Sequence, residues 1–511
     1  MSAALSADAV RPASRRVTDR WVLGGVSVLF CLPNLVLAAG LQPVPGAVLA
    51  AASVAAVALL LRAPSQSGPL DRQFRPTELA GCLALAVLIL VLGGALHLVY
   101  ANPDWLIRDA VLADLSRHGF PLGYDISGVS YHLRAPLGMY LVPALAGRLA
   151  GLSAAHAAML AQNALLLGAI FYLLLGSARS PLQLAILVGF GGLGILWRPS
   201  QAMTLGDPSF IFFYARPLDE WNGMFQYSSS ITQFFWVPNH ALPGWWLGTL
   251  LILLARRQVD VATVGLTVAT LVLWSPLAIL PAAPALLWVA ATRFREVVGS
   301  ARTWIGAAVS CGFLPAAAYV AAAAGTIDHG SPVADGEFTG RYFIFIVLQL
   351  APAIFVLLHR HRIEPALRGL FAGSVALLVV LPLFSFGPNN DLVMRASIPA
   401  LLVIGFVFGA VLIDAIRDRA SDAFVGIAVA LLGTTPAIVE ISRALIVPRF
   451  AISDCSLVEA SRNLGDVGAP ANYMARVEQM PGWLMAPPAK RLPPPREIQC
   501  WPDLRRPDRA L

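Results

Sequence analysis

The sequence predicts an all-α membrane protein, a bundle of about thirteen transmembrane helices with interfacial helices in an outer-face loop. Hydrophobic residues make up 57% of the chain and charged residues only 13%, whereas soluble domains carry about 25% charged residues. The mean hydropathy is +0.70. Apolar segments recur along the chain at about the 20-residue length that a helix needs to cross a bilayer. The short alternating segments of a membrane β-barrel are missing from the sequence.

Three domains follow from the distribution of these segments. Residues 1–20 form a cytoplasmic N-terminal segment, because RPASRRVTDR has the charge of an anchor rather than of a cleavable signal. Residues 21–444 form the membrane domain, and residues 445–511 form a tail whose ten prolines prevent a long helix. The predicted spans are Trp21–Leu41, Val44–Leu61, Glu78–Leu98, His156–Leu175, Pro181–Leu196, Ala241–Leu254, Val261–Ser275, Leu277–Ala291, Thr303–Ala324, Tyr342–Leu358, Leu367–Phe386, Ile398–Ile416 and Ala423–Ala444.

The positions of the arginines orient these spans. Cytoplasmic loops are rich in basic residues, and the basic loops here are 62–75, 255–258, 292–302, 359–362 and 416–419. Loops 99–155, 197–240, 325–341 and 387–397 and the tail then lie outside. No basic stripe of the kind that nucleic acid needs occurs in the sequence. This topology predicts that the functional face of the protein lies outside.

One apolar segment does not fit a regular span. Ala135–Gly151 contains Pro143 and Arg148, and we expect a helix that lies at the outer interface. A short tilted span is the alternative, and it would move the later basic loops to the other side.

The cysteines divide into two groups. Cys31, Cys82 and Cys311 lie in apolar runs and are expected to pack as small apolar residues. Cys455 and Cys500 both lie in the tail, where an oxidising exterior would allow a disulfide. Two free thiols in a loose tail are the alternative. The cysteine spacing indicates neither zinc nor haem.

Ionisable residues collect in the predicted outer loops. Such residues are costly at membrane depth and usually face a polar cavity. Loop 99–155 contains Asp104, Arg108, Asp109, His118, Asp125, His132 and Arg134. Loop 197–240 contains Arg198, Asp207, Arg216, Asp219, Glu220, Asn239 and His240, and loop 387–397 contains Asn389, Asn390, Asp391 and Arg395.

The string NPDWLIRDAVLADLSRHGFP (102–121) predicts a helix capped by Asn102, with Asp104 in its first turn. Asp104 and Arg108 are four residues apart and share a face. The helix is apolar nearly all round, so it is embedded, and an embedded carboxylate is a candidate general base. Asp104 is the first candidate and Asp109 the second. The alternative is a capped structural helix with one ion pair.

Two further strings contain residues that are candidates for contacting the substrate. In WVPNHALPGWW (236–246), Asn239 and His240 start a span, and the alternative is an interfacial histidine among belt tryptophans. In NNDLVMRAS (389–397), Asn390 is positioned to cap a helix on which Asp391 and Arg395 are four residues apart. Arg395 suits a phosphate, because a guanidinium donates in a fork. A cap with an ion pair is the alternative.

The order of these parts resembles the GT-C superfamily of integral-membrane glycosyltransferases. The string YHLRAPLGMYLVPALAGRLAGLS (131–153) is similar to the family's interfacial helix, with the single Pro136 in place of a Pro-Pro pair. The strings PDWLIRDAVLADL, PNHALPGWW and NDLVMRASIPAL also look like those of bacterial GT-C-type proteins. The resemblance covers roughly residues 78–416. Two extra spans precede the loop, and the loop contains no adjacent acidic pair.

The resemblance implies sugar transfer, with inversion, from a polyprenyl-phosphate-linked donor to an envelope glycan, lipid or protein. Asp104 would be the base. Arg395 and Arg134 would neutralise the phosphate, while Arg108, His132, Asn239, His240, Asn390 and Asp391 would complete the substrate site. The sequence identifies no cofactor with certainty. A divalent metal (Mg²⁺ or Mn²⁺) is compatible with the family, but the sequence supplies no metal ligand set. The alternatives are a polysaccharide polymerase or ligase, a transporter, and a non-catalytic scaffold.

Overall fold

A computed structural model describes residues 18–62, 70, 72–198, 217–387, 390–465, 469–489, 491–492, 495 and 497–501. The chain is mostly helical, with 69% helix and few strands. Of the residues that the sequence analysis singled out, Asp207, Arg216 and Asn389 lie outside the described residues, as does nearly all of the segment 1–20.

Six described helices are long and apolar enough to cross a membrane, or eight if each of two bent pairs counts as one span. Large apolar side chains such as Val54, Phe343 and Phe424 are exposed on these helices, as expected of surfaces that face lipid. The chain is therefore a membrane protein. The six helices are Arg20–Ala39, Pro43–Leu61, Leu152–Ser177, Pro365–Leu383, Ile398–Arg417 and Ala423–Ile446, and the bent pairs are Ala301–Cys311 with Leu314–Thr326 and Phe338–Gln349 with Ala351–Leu358.

The other five predicted spans correspond to shorter or more polar helices. Proline and glycine account for much of the shortening, since proline interrupts the helical hydrogen-bond ladder and glycine weakens it. The count of thirteen spans therefore remains a prediction. These helices are Pro76–Leu92, Pro181–Val188, Pro238–Ala255, Val261–Leu271 and the broken pair Pro276–Ile279 and Ala282–Thr292.

Shorter helices carry most of the polar residues of interest. Ala135–Gly151 is helical only over Leu141–Ala150. Before it, Gly138 packs against the ring of Trp274 so closely that a Cβ atom would overlap the ring. Among the described residues, the remaining α-helices are Asp104–His118, Ser230–Trp236, Phe294–Val298, Asp391–Ala396 and Leu457–Asn463, and 3-10 turns include Ala95–His97 and Leu218–Asn222.

A small sheet corrects the all-α prediction. Strands β1 (Gly123–Ile126) and β2 (Val129–Leu133) form an antiparallel hairpin. Its turn is Ser127–Gly128, and both residues have positive φ, as a two-residue hairpin turn requires. A second, two-stranded sheet joins β3 (His329–Gly330) and β4 (Ser385–Phe386).

The tail supplies the outer strands of the larger sheet. Strand β5 (Met474–Arg476) pairs with β2, and β6 (Arg491–Leu492) pairs with β1. These strands are too short for a clear alternating pattern, and their partners are more than 300 residues away in sequence. Neither fact is readable from local sequence, which is why the sheet was not predicted.

Further contacts hold the tail in a folded arrangement. Cys455 and Cys500 form a disulfide, and the Trp501 ring stacks on Phe450. Consistent with its prolines, the longest described α-helix of the tail is Leu457–Asn463. The tail thus packs as a folded layer on the Asp104–His118 helix and the β1–β2 hairpin.

Three of the five basic loops that were predicted to share one side, 255–258, 359–362 and 416–419, lie together. Arg256 binds Glu364 at 2.7 Å and also donates to the Ser177 carbonyl. Arg362 pairs with Asp418 on the neighbouring loop. These ion pairs link loops that are far apart in sequence.

Candidate active site

The helix Asp104–His118, here called the Asp104 helix, begins one residue after the predicted start, with Pro103 rather than Asn102 at the cap position. The Asn102 side-chain carbonyl accepts a hydrogen bond from the Asp104 backbone N–H at 3.1 Å, and the Asn102 backbone carbonyl accepts from Trp105. The Asn102 amide donates to the Phe235 carbonyl at 2.8 Å, which fixes the start of the helix against the segment before residue 238. Most of the helix is buried, as predicted for an embedded helix.

Asp104 is the accessible acid of this helix. Its side chain is 48% exposed, whereas that of Arg108 is 5% exposed. Burial by the surrounding protein nevertheless raises the pKa of the Asp104 carboxyl, and the charges of Arg108 and Arg395 oppose the rise. The Asp104 carboxylate is thus partly open at the surface and enclosed by protein on its other sides. We call the space next to it the Asp104 recess.

Arg108 is held from three directions. Its guanidinium donates to the Trp236 carbonyl and, at 3.5 Å, to the Asp104 carboxylate. It also lies over the Trp105 ring at 5.2 Å. A buried, fixed arginine beside an acid keeps a positive charge at that position.

The helix Asp391–Ala396, here the Asp391 helix, provides the second acid–arginine pair. Arg395 binds Asp391 at 2.8 Å, and Arg395 is 22% exposed whereas Asp391 is 8% exposed. Gly387 has a φ of +84°, and a Cβ atom there would lie 2.6 Å from the Asp391 carboxylate. Only glycine fits that turn, because the conformation is left-handed and the space is filled.

The predicted side-chain cap by Asn390 is wrong. Asn390 occupies the cap position in a left-handed conformation, with a φ of 52°, and its side chain makes no capping hydrogen bond. Its amide instead donates to the Phe384 carbonyl at 3.4 Å. The side chain is turned back toward β4 because the left-handed backbone redirects it.

The two acid–arginine pairs lie within electrostatic range of each other. The charges of Arg395 and Asp391 both act on the Asp104 carboxyl, although the pairs are nearly 290 residues apart in sequence. We count Asp104, Arg108, Asp391 and Arg395 as the four charged groups of the recess. The more exposed member of one pair is an acid, and that of the other is an arginine.

His240 and Asn239 border the same charges. His240 is buried, and its electrostatic neighbours include Arg395 and Arg108. The Asn239 amide donates to Nε2 of His240 at 3.1 Å, so Nδ1 carries the ring proton and donates to Ser275 Oγ at 2.7 Å. This arrangement fixes a neutral ring. Asn239 stays partly exposed.

Asp109 lies within electrostatic range of Tyr140, as Asp104 does, but its carboxylate is enclosed by other partners. It is fully buried, and its two oxygens accept hydrogen bonds from His97 Nε2 at 3.1 Å and from the Ser453 N–H at 2.9 Å. The Nδ1 atom of His97 faces the Phe450 carbonyl at 3.1 Å. Asp109 thus binds the tail, and its carboxylate is not open to a substrate.

His132 and Arg134 also lie apart from the recess charges. His132 is buried in β2, and burial lowers the pKa of its ring to about 4. Arg134 donates to the Ala471 carbonyl at 2.8 Å and holds the tail. Neither side chain has an electrostatic neighbour among the four charged groups of the recess.

Tyr140 and Tyr473 are recess residues that the sequence analysis missed. Both have Asp104 and Arg108 as electrostatic neighbours, and Tyr473 also has Arg395 and Asp391. Tyr140 follows Pro136 and Leu137 in the string that the sequence analysis singled out, so the sequence did contain a signal for this residue. Tyr473 lies in the tail, and no local pattern indicates its position.

Asp114 is a second buried acid on the Asp104 helix that holds the tail. The Tyr124 hydroxyl donates to it at 2.8 Å and the Leu457 N–H at 2.9 Å. Burial raises the pKa of Asp114 to about 7, against the lowering effect of these two donors.

The raised pKa of Asp114 predicts a pH-dependent tail. Between about pH 4 and pH 7 the folded protein binds a proton that the unfolded chain does not, so this stabilising contribution is complete below about pH 4 and is lost as the pH rises through about 7. After correction for intrinsic exchange, we expect hydrogen exchange of the Leu457 amide to rise several-fold from about pH 5 to about pH 8. Asp114→Asn should flatten this dependence. The same slope in the variant would contradict the assignment.

Within the described part of the chain, the structure assigns no residues to metal binding. No group of three or more His, Cys, Asp or Glu side chains among those residues is arranged to hold a metal ion.

Comparison with known proteins found no similar protein. No family model, no curated protein and no solved structure matches this chain.

Proposed function

We propose that this protein transfers a sugar from a polyprenyl-phosphate-linked donor to an envelope acceptor on the extracytoplasmic side of the membrane. The observation that carries the proposal is the Asp104 recess. It combines an accessible carboxylate with two arginines that are fixed by other contacts.

Asp104 is the proposed general base. Its raised pKa makes the carboxylate a stronger base than an exposed aspartate. The acceptor oxygen forms a bond to the anomeric carbon while the bond between that carbon and the phosphate oxygen breaks. The bond pair leaves with the phosphate, the hydroxyl proton goes to Asp104, and the configuration inverts.

The arginines are proposed to stabilise the charge that develops on the phosphate. Arg395 is the more exposed of the two, so it is the proposed direct contact. Arg108 is buried and supplies a fixed positive charge beside the base. Asp391 orients Arg395 through their 2.8 Å contact, and Asn239 and His240 are proposed to border the sugar.

Two features support an outward-facing recess. The tail next to the recess contains a disulfide, which persists in oxidising compartments. Three of the basic loops lie together, as expected for loops that share the cytoplasmic side. A bacterial inner-membrane location is part of the same proposal.

The rival functions predict other arrangements. Transporters place charged groups on broken spans near the bilayer midplane, whereas here both acid–arginine pairs lie on short helices outside the six long apolar ones. A polymerase or ligase shares the lipid-linked donor and differs in the product, which the following experiment resolves.

Deletion of the gene in the source cell, followed by mass spectrometry of surface glycans and lipid-linked sugars, tests the proposal. We expect one sugar to disappear from a glycan and its lipid-linked form to accumulate. The intact protein and Arg341→Gln should restore it, whereas Arg395→Gln should not. Arg341 is the matched control, since it forms an i,i+4 acid–arginine pair with Glu337 elsewhere.

Other outcomes would overturn the proposal. Loss of whole chains rather than of one sugar would indicate a polymerase or ligase. Unchanged glycans and unchanged lipid-linked sugars would favour a transporter or scaffold.

A further inference from the structure

The tail reaches the recess through a short anchored segment. The Tyr473 carbonyl accepts a hydrogen bond from the Arg134 N–H at 2.7 Å, and the Arg134 guanidinium donates to the Ala471 carbonyl at 2.8 Å. The chain then enters β5, which pairs with β2. Contacts on both sides of Tyr473 therefore fix the position of its backbone.

Tyr473, like Asp104, is partly exposed and also lies near charged groups of the protein. Its side chain is partly exposed, yet its electrostatic neighbours are all four charged groups of the recess. Burial raises its pKa, so the phenol stays protonated and can donate a hydrogen bond. An aromatic ring whose hydroxyl group can donate a hydrogen bond, at the edge of a polar recess, is suited to contact a hydroxylated ring such as a sugar.

The segment that carries Tyr473 is fixed at several points that do not touch the recess. The Cys455–Cys500 disulfide closes the tail into a loop that contains residue 473. Asp109 and Asp114 bind the backbone N–H groups of Ser453 and Leu457. Ordering a segment in this way before substrate arrives lowers the entropic cost of binding.

We propose that the tail is a fixed wall of the Asp104 recess, and that Tyr473 contacts the donor sugar and sets which sugar fits. The inference rests on the proposed function for the identity of the ligand. The coverage of the recess by the tail does not depend on it.

Thiol labelling tests the coverage independently of any activity. An Asp104→Cys reporter in a Cys311→Ser background, in the full chain with its disulfide intact, is treated with a small and with a bulky membrane-impermeant thiol reagent. We expect Tyr473→Ala to raise the rate of thiol labelling by the bulky reagent about tenfold, because the variant removes the ring that we propose covers position 104. The matched control is Trp483→Ala, a tail residue whose side chain is 60% exposed, and it should not change the rate. Equal rates with and without the Tyr473 ring would overturn the coverage.

Donor kinetics test the sugar contact in the protein with native Asp104. Tyr473→Phe is expected to raise KM for the donor about tenfold with little change in kcat, as for loss of one hydrogen bond to bound substrate. Tyr473→Ala should also narrow the difference in kcat/KM between donors that carry different sugars. Unchanged KM and unchanged selectivity in both variants would overturn the contact. Absence of transfer by the wild type with every donor would instead overturn the proposed function, while the labelling result would still decide the coverage.

Discussion

Asp104→Asn is expected to lower the rate of sugar transfer by about 10²–10⁴-fold, the contribution of a positioned general base. Asparagine keeps the size of the side chain and an oxygen that accepts from Arg108, so donor binding should change little. The measurement is single-turnover release of polyprenyl phosphate by the purified full-length protein, with the lipid-linked sugar that the deletion experiment identifies.

The pH profile gives a second readout of the same residue. Burial raises the pKa of Asp104, and a base works only when it is ionised. The rate of the wild type should therefore rise with pH, and its acidic limb should lie above about pH 4, the ordinary range of an aspartate. In Asp104→Asn this limb should disappear.

Two matched variants separate the role of a base from a general loss of charge. Asp454→Asn removes an acid that is 77% exposed and should leave the rate unchanged. Asp109→Asn disturbs the anchor of the tail and should reduce protection of the Ser453 amide. A variant at Asp104 with full activity would show that the Asp104 helix is only a capped structural helix.

Removal of the disulfide by Cys455→Ser together with Cys500→Ser is expected to be the largest perturbation of stability. The bond closes a loop across 45 residues, and the loss of this constraint corresponds to about 4 kcal/mol in the chain-entropy account. The effect applies to the opening of the tail rather than to the membrane bundle. Cleavage by trypsin at the exposed Arg476 should therefore become much faster.

The control for this variant is Cys311→Ser, which removes an exposed free thiol from the membrane domain and should leave cleavage unchanged. Equal cleavage of the double variant and the wild type would mean that the sheet and the contacts of Asp109 and Asp114 hold the tail without the disulfide.

Local features of this protein could be predicted because they depend on residues close in sequence. Apolar composition indicated membrane helices, since each such helix satisfies its own backbone hydrogen bonds. The pairs Asp104–Arg108 and Asp391–Arg395 followed from the helical repeat, and both are present. That the two pairs belong to one site was only a hypothesis, drawn from topology and from the resemblance.

The direction in which a side chain faces depended on packing. Asp104 and Asp109 are five residues apart on one helix, yet one opens to the recess and the other is sealed against His97 and the tail. The helix is apolar nearly all round, so its sequence contains no polar face that distinguishes the two acids.

The sequence by itself thus determined the membrane class, the Asp104 helix and the two acid–arginine pairs, because composition and the helical repeat are local properties. Only the tertiary structure decided that the pairs meet, that strands form at all and that Tyr473 joins the site. The bond from the Ser453 N–H to Asp109 joins residues 344 positions apart. Such contacts form only when the whole bundle has brought both segments to the same end, and no local pattern records them.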